Sequence, residues 1–134
     1  MKSTNYYDTF IEVAEDCPVE AAEAPAQCGE GKSVPQLQYE MIFKHPYQYT
    51  QDDVLFAVHA ERNGIRKNDA QEREKFFWKG QPCLRCSSLG KRYGWGIHSD
   101  SNGKVALYPV ESKEYKKLAS DKKLKRVKEM RTKK

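Results

Sequence analysis

The strongest hydrophobic pattern in the chain lies in residues 91–109, where apolar side chains alternate with small or polar ones. Trp95 and Ile97 fall on one side of the alternation, whereas His98 and two glycines fall on the other. A turn sequence of Asp, Ser, Asn and Gly at 100–103 divides the segment into two arms. This pattern predicts a β-hairpin at about 93–109 whose indole and aliphatic groups lie in the core.

Helical spacing and capping residues predict three helices before the hairpin. Ser33 begins a capping box ahead of a helix from about 34 to 44. The same residues also alternate in hydrophobicity, so a strand at 34–44 is the alternative. Thr50 caps a second helix that ends at about Asn63, and a third helix extends from about 69 to 80.

The other segments are assigned from weaker patterns. Strand-forming residues predict a first strand at 6–13, and a further extended segment is expected at 83–87. A stretch rich in Ala, Glu and Pro at about 15–32 has few large apolar groups, so we expect an exposed loop there. A short helix begins at Ser112, and a basic helix follows at about 121–131.

Together these elements predict an α+β protein that forms a single domain over residues 1–134. A small, mainly antiparallel sheet would contain the first strand, the 83–87 segment and the central hairpin. The helices would pack on one side of this sheet. Because the helices are grouped between the strands instead of alternating with them, a doubly wound sheet is not expected.

Charge is distributed unevenly along the chain. Residues 1–30 carry one base against seven acids, and residues 113–134 carry eleven bases against three acids, within a net charge of +5. The net charge alone therefore does not indicate nucleic-acid binding. No apolar run has the length of a membrane span and no export signal is visible, so we expect a cytoplasmic protein with reduced cysteines and no membrane partner.

The polar side of the hairpin is the best candidate for a ligand-binding surface. Strand glycines permit a ligand to approach the backbone, and Arg92, Trp95 and His98 lie in the same segment. Arg85 on the preceding segment would add a cation, so the functional interpretation predicts an anionic small molecule or a protein partner. The alternative, favoured because strand glycines more often reflect packing, is that they leave room for a crossing helix while His98 bonds a backbone carbonyl.

No catalytic residue can be assigned from local motifs, because the chain lacks nucleophile elbows, zinc-protease motifs and phosphate loops. Cys83 and Cys86 have the spacing of half a zinc site, but no second closely spaced pair supplies the other two ligands. Neither a metal nor a cofactor is therefore expected. If the chain is an enzyme, the first residues to inspect are His98, Arg92 and Cys83.

The basic run near the C-terminus permits a nucleic-acid hypothesis. On one face of a helix these cations could follow a phosphate backbone. Interspersed Leu124 and Val127 favour the alternative of a docked helix with a solvated basic face. The cations concerned are Lys122, Lys123, Lys125, Arg126 and Lys128.

Five longer motifs are spread over nearly the whole chain: Asn5–Val13, Asp16–Pro18, Asp52–Phe56, Gly80–Arg85 and Lys91–His98. Together they resemble a small, mainly bacterial family catalogued as a domain of unknown function, number 6157. The resemblance implies a single-domain, cytoplasmic protein and brings no activity, cofactor or catalytic residue. This sequence departs from the family pattern at Cys86, where a small residue without a thiol is usual.

Three functions remain, in order of preference. The first is a non-catalytic binding or interaction module, and the second is a small enzyme with a site near His98, Arg92 and Cys83. The third is nucleic-acid binding through the basic C-terminal segment. A pocket that encloses the candidate residues would favour the enzyme, whereas a flat, charged face would favour the module.

Overall fold

The structure, a computed structural model, describes residues 3–25 and 32–131. A four-stranded sheet has the order β3-β2-β1-β4. The β1–β2 and β2–β3 pairs are antiparallel, and the β1–β4 pair is parallel. The α+β class and the mainly antiparallel sheet are therefore confirmed. The strands are β1 (Thr9–Glu12), β2 (Trp95–Ser99), β3 (Val105–Pro109) and β4 (Lys125–Lys128).

The helices begin at the predicted capping residues. Ser33 accepts a hydrogen bond from the backbone of Gln36, which confirms the helix over the strand alternative at 34–44. Thr50 and Asp53 form a reciprocal capping box, and Gly64 ends that helix with a φ of 65°. The described helices are α1 (Val34–Lys44), α2 (Gln51–Asn63), α3 (Ala70–Trp78), α4 (Ser88–Lys91) and α5 (Lys113–Ala119), with a 3₁₀ turn at Leu84–Cys86.

The main core lies on the face of the sheet that carries Trp95 and Ile97. Both side chains are buried there, with Ile42 of α1 and Val54 of α2 packed against them. Trp95 is only 5 % exposed, so the predicted shielding of the hairpin's indole is confirmed. Burial of this apolar cluster is the main term that holds the helices on the sheet.

The opposite face of the sheet is covered by α5, so the prediction that all helices pack on one side is wrong for this helix. Tyr115 of α5 packs edge-on against Phe10, with ring centroids 5.0 Å apart. A Cβ at Gly96 would lie 2.6 Å from both rings. The glycine therefore makes room for a crossing helix, as the packing alternative predicted.

The basic helix predicted at about 121–131 is wrong, because the chain forms β4 there. The Lys125 N–H donates to Asp8 O at 3.0 Å, and the Glu129 N–H donates to Glu12 O at 2.8 Å. A short helix gains little on its own, whereas a strand here satisfies the open edge of β1. The sequence pattern of this segment does not show a partner more than one hundred residues away.

The strand expected at 83–87 is also wrong. Leu84–Cys86 forms the 3₁₀ turn, and Ser87 then caps α4 by accepting from the Leu89 N–H at 3.1 Å. The Leu84 N–H donates to the buried Gln51 side chain at 3.1 Å instead of to a neighbouring strand. The fourth strand of the described sheet is β4, and the 83–87 segment is not part of that sheet.

The described part of the loop expected at 15–32 is irregular and largely exposed, but it is attached to the hairpin. The Glu23 N–H donates to Tyr93 O, and the Trp95 indole donates to Glu23 O, each at 2.9 Å. Residues 26–31 of the predicted loop lie outside the described residues. Among the described helices, none combines the length and apolar character needed to cross a membrane.

Candidate functional site

His98 lies on the face of the sheet that α5 partly covers, and it is hydrogen-bonded to a pair of tyrosines. Its Nδ1 is 2.7 Å from the Tyr47 hydroxyl, which is in turn 2.6 Å from the Tyr108 hydroxyl. Tyr108 stands on β3, whereas Tyr47 comes from the connector between α1 and α2. We call His98, Tyr47 and Tyr108 the His98 cluster.

Tyr47 is held in an unfavourable backbone conformation to reach this position. Its φ is 59°, in the left-handed region that costs a bulky residue roughly 1–2 kcal/mol. Pairing of the connector with β3 maintains it, because the Tyr47 N–H donates to Val105 O and the Val105 N–H donates to Tyr49 O, each at 2.9 Å. Backbone strain of this kind is concentrated at functional sites.

A second strained residue lies beside the same cluster. Asp8, at the start of β1, has a φ of 48°. In the described part of the chain, Asp8 and Tyr47 are the two non-glycine residues with positive φ, and the Asp8 carboxylate acts electrostatically on His98. Both described non-glycine residues with positive φ therefore interact with His98.

Burial and nearby carboxylates act on His98 in opposite directions. Burial lowers the pKa of His98 below its ordinary value, and the carboxylates of Asp100, Asp8 and Asp121 oppose that shift. Burial, together with the hydrogen bond to Tyr108, raises the pKa of Tyr47. The imidazole and the Tyr47 phenol are thus uncharged at neutral pH, within a rim of negative charge.

A pocket of about 480 Å³ opens beside the His98 cluster. Tyr108 belongs to both the cluster and the pocket lining, and Asp121 both lines the pocket and acts on His98. The volume is in the range of small-molecule sites. The described lining consists of Tyr108, Glu114, Lys117, Leu118 and Asp121.

The four residues predicted to bind a ligand do not come together. Trp95 lies in the core on the opposite face of the sheet, and Arg92 is exposed after α4. Arg85 donates from Nε to the Lys128 backbone carbonyl at 2.9 Å, at the β4 end of the sheet. Only His98 remains at the candidate site, and its partner is a phenol instead of the expected backbone carbonyl.

The structure shows which residues the sequence did not reveal. Tyr47 is 51 positions before His98, and it stands in a connector with no sequence pattern that indicates contact with the hairpin. Tyr108 did fall in the predicted hairpin, directly opposite Gly96. The signal that could have identified it is register, since residues opposite the glycines and His98 share the polar face.

A larger groove of about 710 Å³ runs along α3. Trp78 on its rim is 69 % exposed, and the rings of Phe76 and His59 lie 4.5 Å apart between centroids. His59 is half-buried, and its Nδ1 lies 3.3 Å from the Asn63 side-chain amide nitrogen. Acids and lysines both line this groove, so its charge favours no class of ligand: Glu72, Glu74, Lys75 and Lys79.

The basic residues near the C-terminus lie on β4 and on the turn before it, so the helical arrangement behind the nucleic-acid hypothesis is wrong. Two of the side chains are engaged within the chain. Arg126 donates to the Ala119 carbonyl at 2.7 Å, and Lys128 pairs with Glu15 at 3.3 Å. Binding of nucleic acid stays a prediction for all five cations, Lys122, Lys123, Lys125, Arg126 and Lys128.

Cys17, Cys83 and Cys86 are free cysteines, while Cys28 lies outside the described residues. Within residues 3–25 and 32–131, no group of three or more His, Cys, Asp or Glu side chains is arranged to hold a metal ion. The half zinc site at Cys83 and Cys86 thus finds no further ligands in the part of the chain that the structure covers.

Comparison with known proteins identifies the family of the chain. Searches among curated proteins and among solved structures find no match for the chain. The family model described as a family of unknown function, DUF6157, matches residues 1–134, which is the whole chain. The resemblance carried by the five sequence motifs is thereby confirmed, and the chain belongs to the DUF6157 family.

Proposed function

We propose that the chain is a non-catalytic binding module that takes a small organic cation in the pocket beside the His98 cluster. The observation that carries the proposal is the meeting of Tyr47, Asp8 and His98 next to an open pocket. Hydrogen bonds of 2.7 and 2.6 Å join the three side chains of the His98 cluster, and Tyr47 and Asp8 both have positive φ. Such precise placement of polar groups beside a pocket is typical of binding sites.

The sign of the ligand follows from the charges around the pocket. Glu114 and Asp121 line it against one described basic side chain, Lys117, and Asp8 and Asp100 add negative charge near His98. The neutral imidazole contributes no competing positive charge. The aromatic ring of Tyr108 also lines the pocket, and rings of this kind attract cations.

The anionic ligand expected from the sequence is not part of this proposal. That expectation required Arg85 and Arg92 to stand beside His98, and neither guanidinium lies there. A diamine or guanidinium compound matches the surroundings of the cluster, because each cationic end would meet a carboxylate at the pocket wall.

Calorimetric titration with 1,4-diaminobutane tests the proposal. The wild-type chain should bind it at pH 7.5, and the neutral diol of the same length should not bind. The double variant Glu114→Gln, Asp121→Asn removes two charges with little change of shape, so affinity should fall about tenfold. His98→Ala should also weaken binding, because Tyr47 loses its partner while the protein remains folded.

A matched control distinguishes this pocket from the larger groove on α3. The double variant Glu72→Gln, Glu74→Gln removes the same charge from that groove and should leave diamine affinity unchanged. The proposal would be refuted if the Glu72→Gln, Glu74→Gln variant lost binding while the Glu114→Gln, Asp121→Asn variant kept it. That result would mean that the diamine binds in the groove on α3. Equal binding of the diol would refute it as well.

A further inference from the structure

A pocket of about 650 Å³ opens between α1, α2 and α3, and cations outnumber acids among its described lining residues. Lys44 comes from the last turn of α1, Lys67 from the connection between α2 and α3, and Arg73 from α3 itself. The described acids of the lining are Glu40 and Asp53. Three separate segments therefore bring positive charge to one cavity, whereas acids outnumber bases in the pocket proposed above for a diamine.

The Arg73 guanidinium is held in place by contacts within the protein. Its Nη2 donates to Asp53 Oδ1 at 2.9 Å, and its central carbon lies 5.9 Å from the ring centroid of Phe56 and 5.6 Å from that of Phe77. A guanidinium carries five N–H donors, and within residues 3–25 and 32–131 the Arg73 side chain makes no hydrogen bond besides the one to Asp53. A planar, fixed fork of donors is therefore left for an acceptor of matching geometry.

Both acids of the lining are already engaged by donors of the protein. Asp53 accepts from the Thr50 N–H at 3.0 Å through its second oxygen, Oδ2, as part of the capping box of α2. Glu40 accepts from the Lys32 ammonium group at 2.7 Å. The two negative charges are thus largely compensated, and their repulsion of an anion in the pocket is weakened.

The two lysines of the lining are less engaged than the acids. Lys44 is exposed and forms no hydrogen bond or salt bridge with a described residue, although it acts electrostatically on Glu40. Lys67 lies 3.6 Å from Glu61, and more than half of each side chain is exposed there. An exposed pair of this kind contributes little to stability, so both ammonium groups can turn to a ligand at small cost.

Apolar side chains complete the lining between these charges. Met41, Tyr49 and Phe56 contribute the large groups, and Ala57 is the smallest. A ligand that suits the whole pocket therefore combines an anionic group with an apolar body. Its charged end would meet the cations, while its body would displace water from the apolar wall.

We propose that this pocket binds a small organic phosphate whose phosphate group is held by Arg73, Lys44 and Lys67. The apolar body of the ligand lies against Met41 and Tyr49. A phosphate monoester carries nearly two negative charges at neutral pH and offers three acceptor oxygens. It can therefore accept from the Arg73 fork and from an ammonium group at the same time, which a carboxylate with one charge does less well. The site shares no described lining residue with the pocket proposed for a diamine, so either ligand can bind without the other.

Calorimetric titration with phenyl phosphate at pH 7.5 and low ionic strength tests the site. The wild-type chain should bind it, and benzyl alcohol, which keeps the ring without the charge, should not bind. The double variant Lys44→Gln, Lys67→Gln changes two exposed side chains and should raise the dissociation constant about tenfold. The double variant Lys75→Gln, Lys79→Gln removes the same charge from the groove on α3 and should bind as tightly as the wild type.

Arg73→Lys separates the guanidinium fork from its charge. The variant keeps the positive charge but loses the planar set of donors, so it should also weaken binding on the order of tenfold. Thermal unfolding checks that this variant is folded; if it is not, the two double variants decide alone. Absence of phenyl phosphate binding, or equal weakening by the two double variants, would overturn the proposal. Equally tight binding of benzoate would overturn the choice of a phosphate, and equally tight binding of inorganic phosphate would overturn the apolar contact.

Discussion

Replacing Gly96 with alanine should lower the free energy of unfolding by about 2–3 kcal/mol. The added methyl group would lie 2.6 Å from the rings of Phe10 and Tyr115, both of which are buried. Movement of the Tyr115 ring away from the methyl group would weaken its contact with Phe10, which joins α5 to the sheet. Urea unfolding monitored by tryptophan fluorescence measures the loss, and the melting temperature should fall by roughly 5–15 °C.

A glycine in open space provides the control for this substitution. A methyl group added at Gly64 would meet nothing within 4 Å, but the φ of 65° there means that Gly64→Ala should cost about 1 kcal/mol through backbone strain. Combining Gly96→Ala with Tyr115→Leu should cost less than the sum of the two single changes, because the smaller side chain relieves the clash. A loss at Gly96 no greater than at Gly64 would contradict this account of the α5 contact.

Glu129→Gln should make the stability of the protein less dependent on pH above 5. Burial raises the pKa of Glu129 to about 9 in the folded chain, whereas the unfolded chain releases the proton near the ordinary value of 4.5. Between these values the folded state binds more protons, so stability is lost as the pH rises. The wild-type chain should lose roughly 2–4 kcal/mol from this group between pH 5 and pH 8, and the variant should not.

Urea unfolding at pH 5, 6.5 and 8 measures this difference. Glu61→Gln, a change at an exposed carboxylate on α2, is the matched control and should follow the wild-type curve. The stabilisation by Glu129→Gln should therefore be small at pH 5 and largest at pH 8. A constant difference across the three pH values would mean that Glu129 is already ionised in the folded chain.

Features that depend on near neighbours in the chain were predictable from the sequence. The caps at Ser33, Thr50 and Asp69 each act within three residues, and each helix begins after its cap. The hairpin is equally local, because its two arms are joined by the five residues 100–104. Its alternation also correctly assigned Trp95 to the core.

Pairings between distant segments were not predictable in this way. The hydrogen bonds that place β4 beside β1 join residues more than one hundred positions apart, and a basic run with spaced apolar residues suits a helix as well as an edge strand. Glu129 stood within that run as one more charged residue. Its burial depends on Gly90, which comes close to it only in the folded chain.

Asp52 also makes contacts with a distant segment that the sequence did not predict, although α2 itself was predicted correctly. Two adjacent acids stand in the first turn of α2, where the helix dipole favours negative charge, and Asp53 forms the capping box. Asp52 is instead buried and accepts hydrogen bonds from Ser3 and from the backbone and hydroxyl of Thr4, at 2.7–2.8 Å. It thereby fixes the start of the chain to α2.

The two borders of the sheet differ in how they meet their surroundings. Beside β3, the connector at 47–50 follows the strand and bonds to it. Beyond β4 lies no further strand in the described chain, and the exposed side chains there are Lys125, Arg126 and Lys128. Positive charges facing each other would repel a second molecule that tried to extend the sheet, so the arrangement guards a crowded solution of this protein against strand-to-strand aggregation.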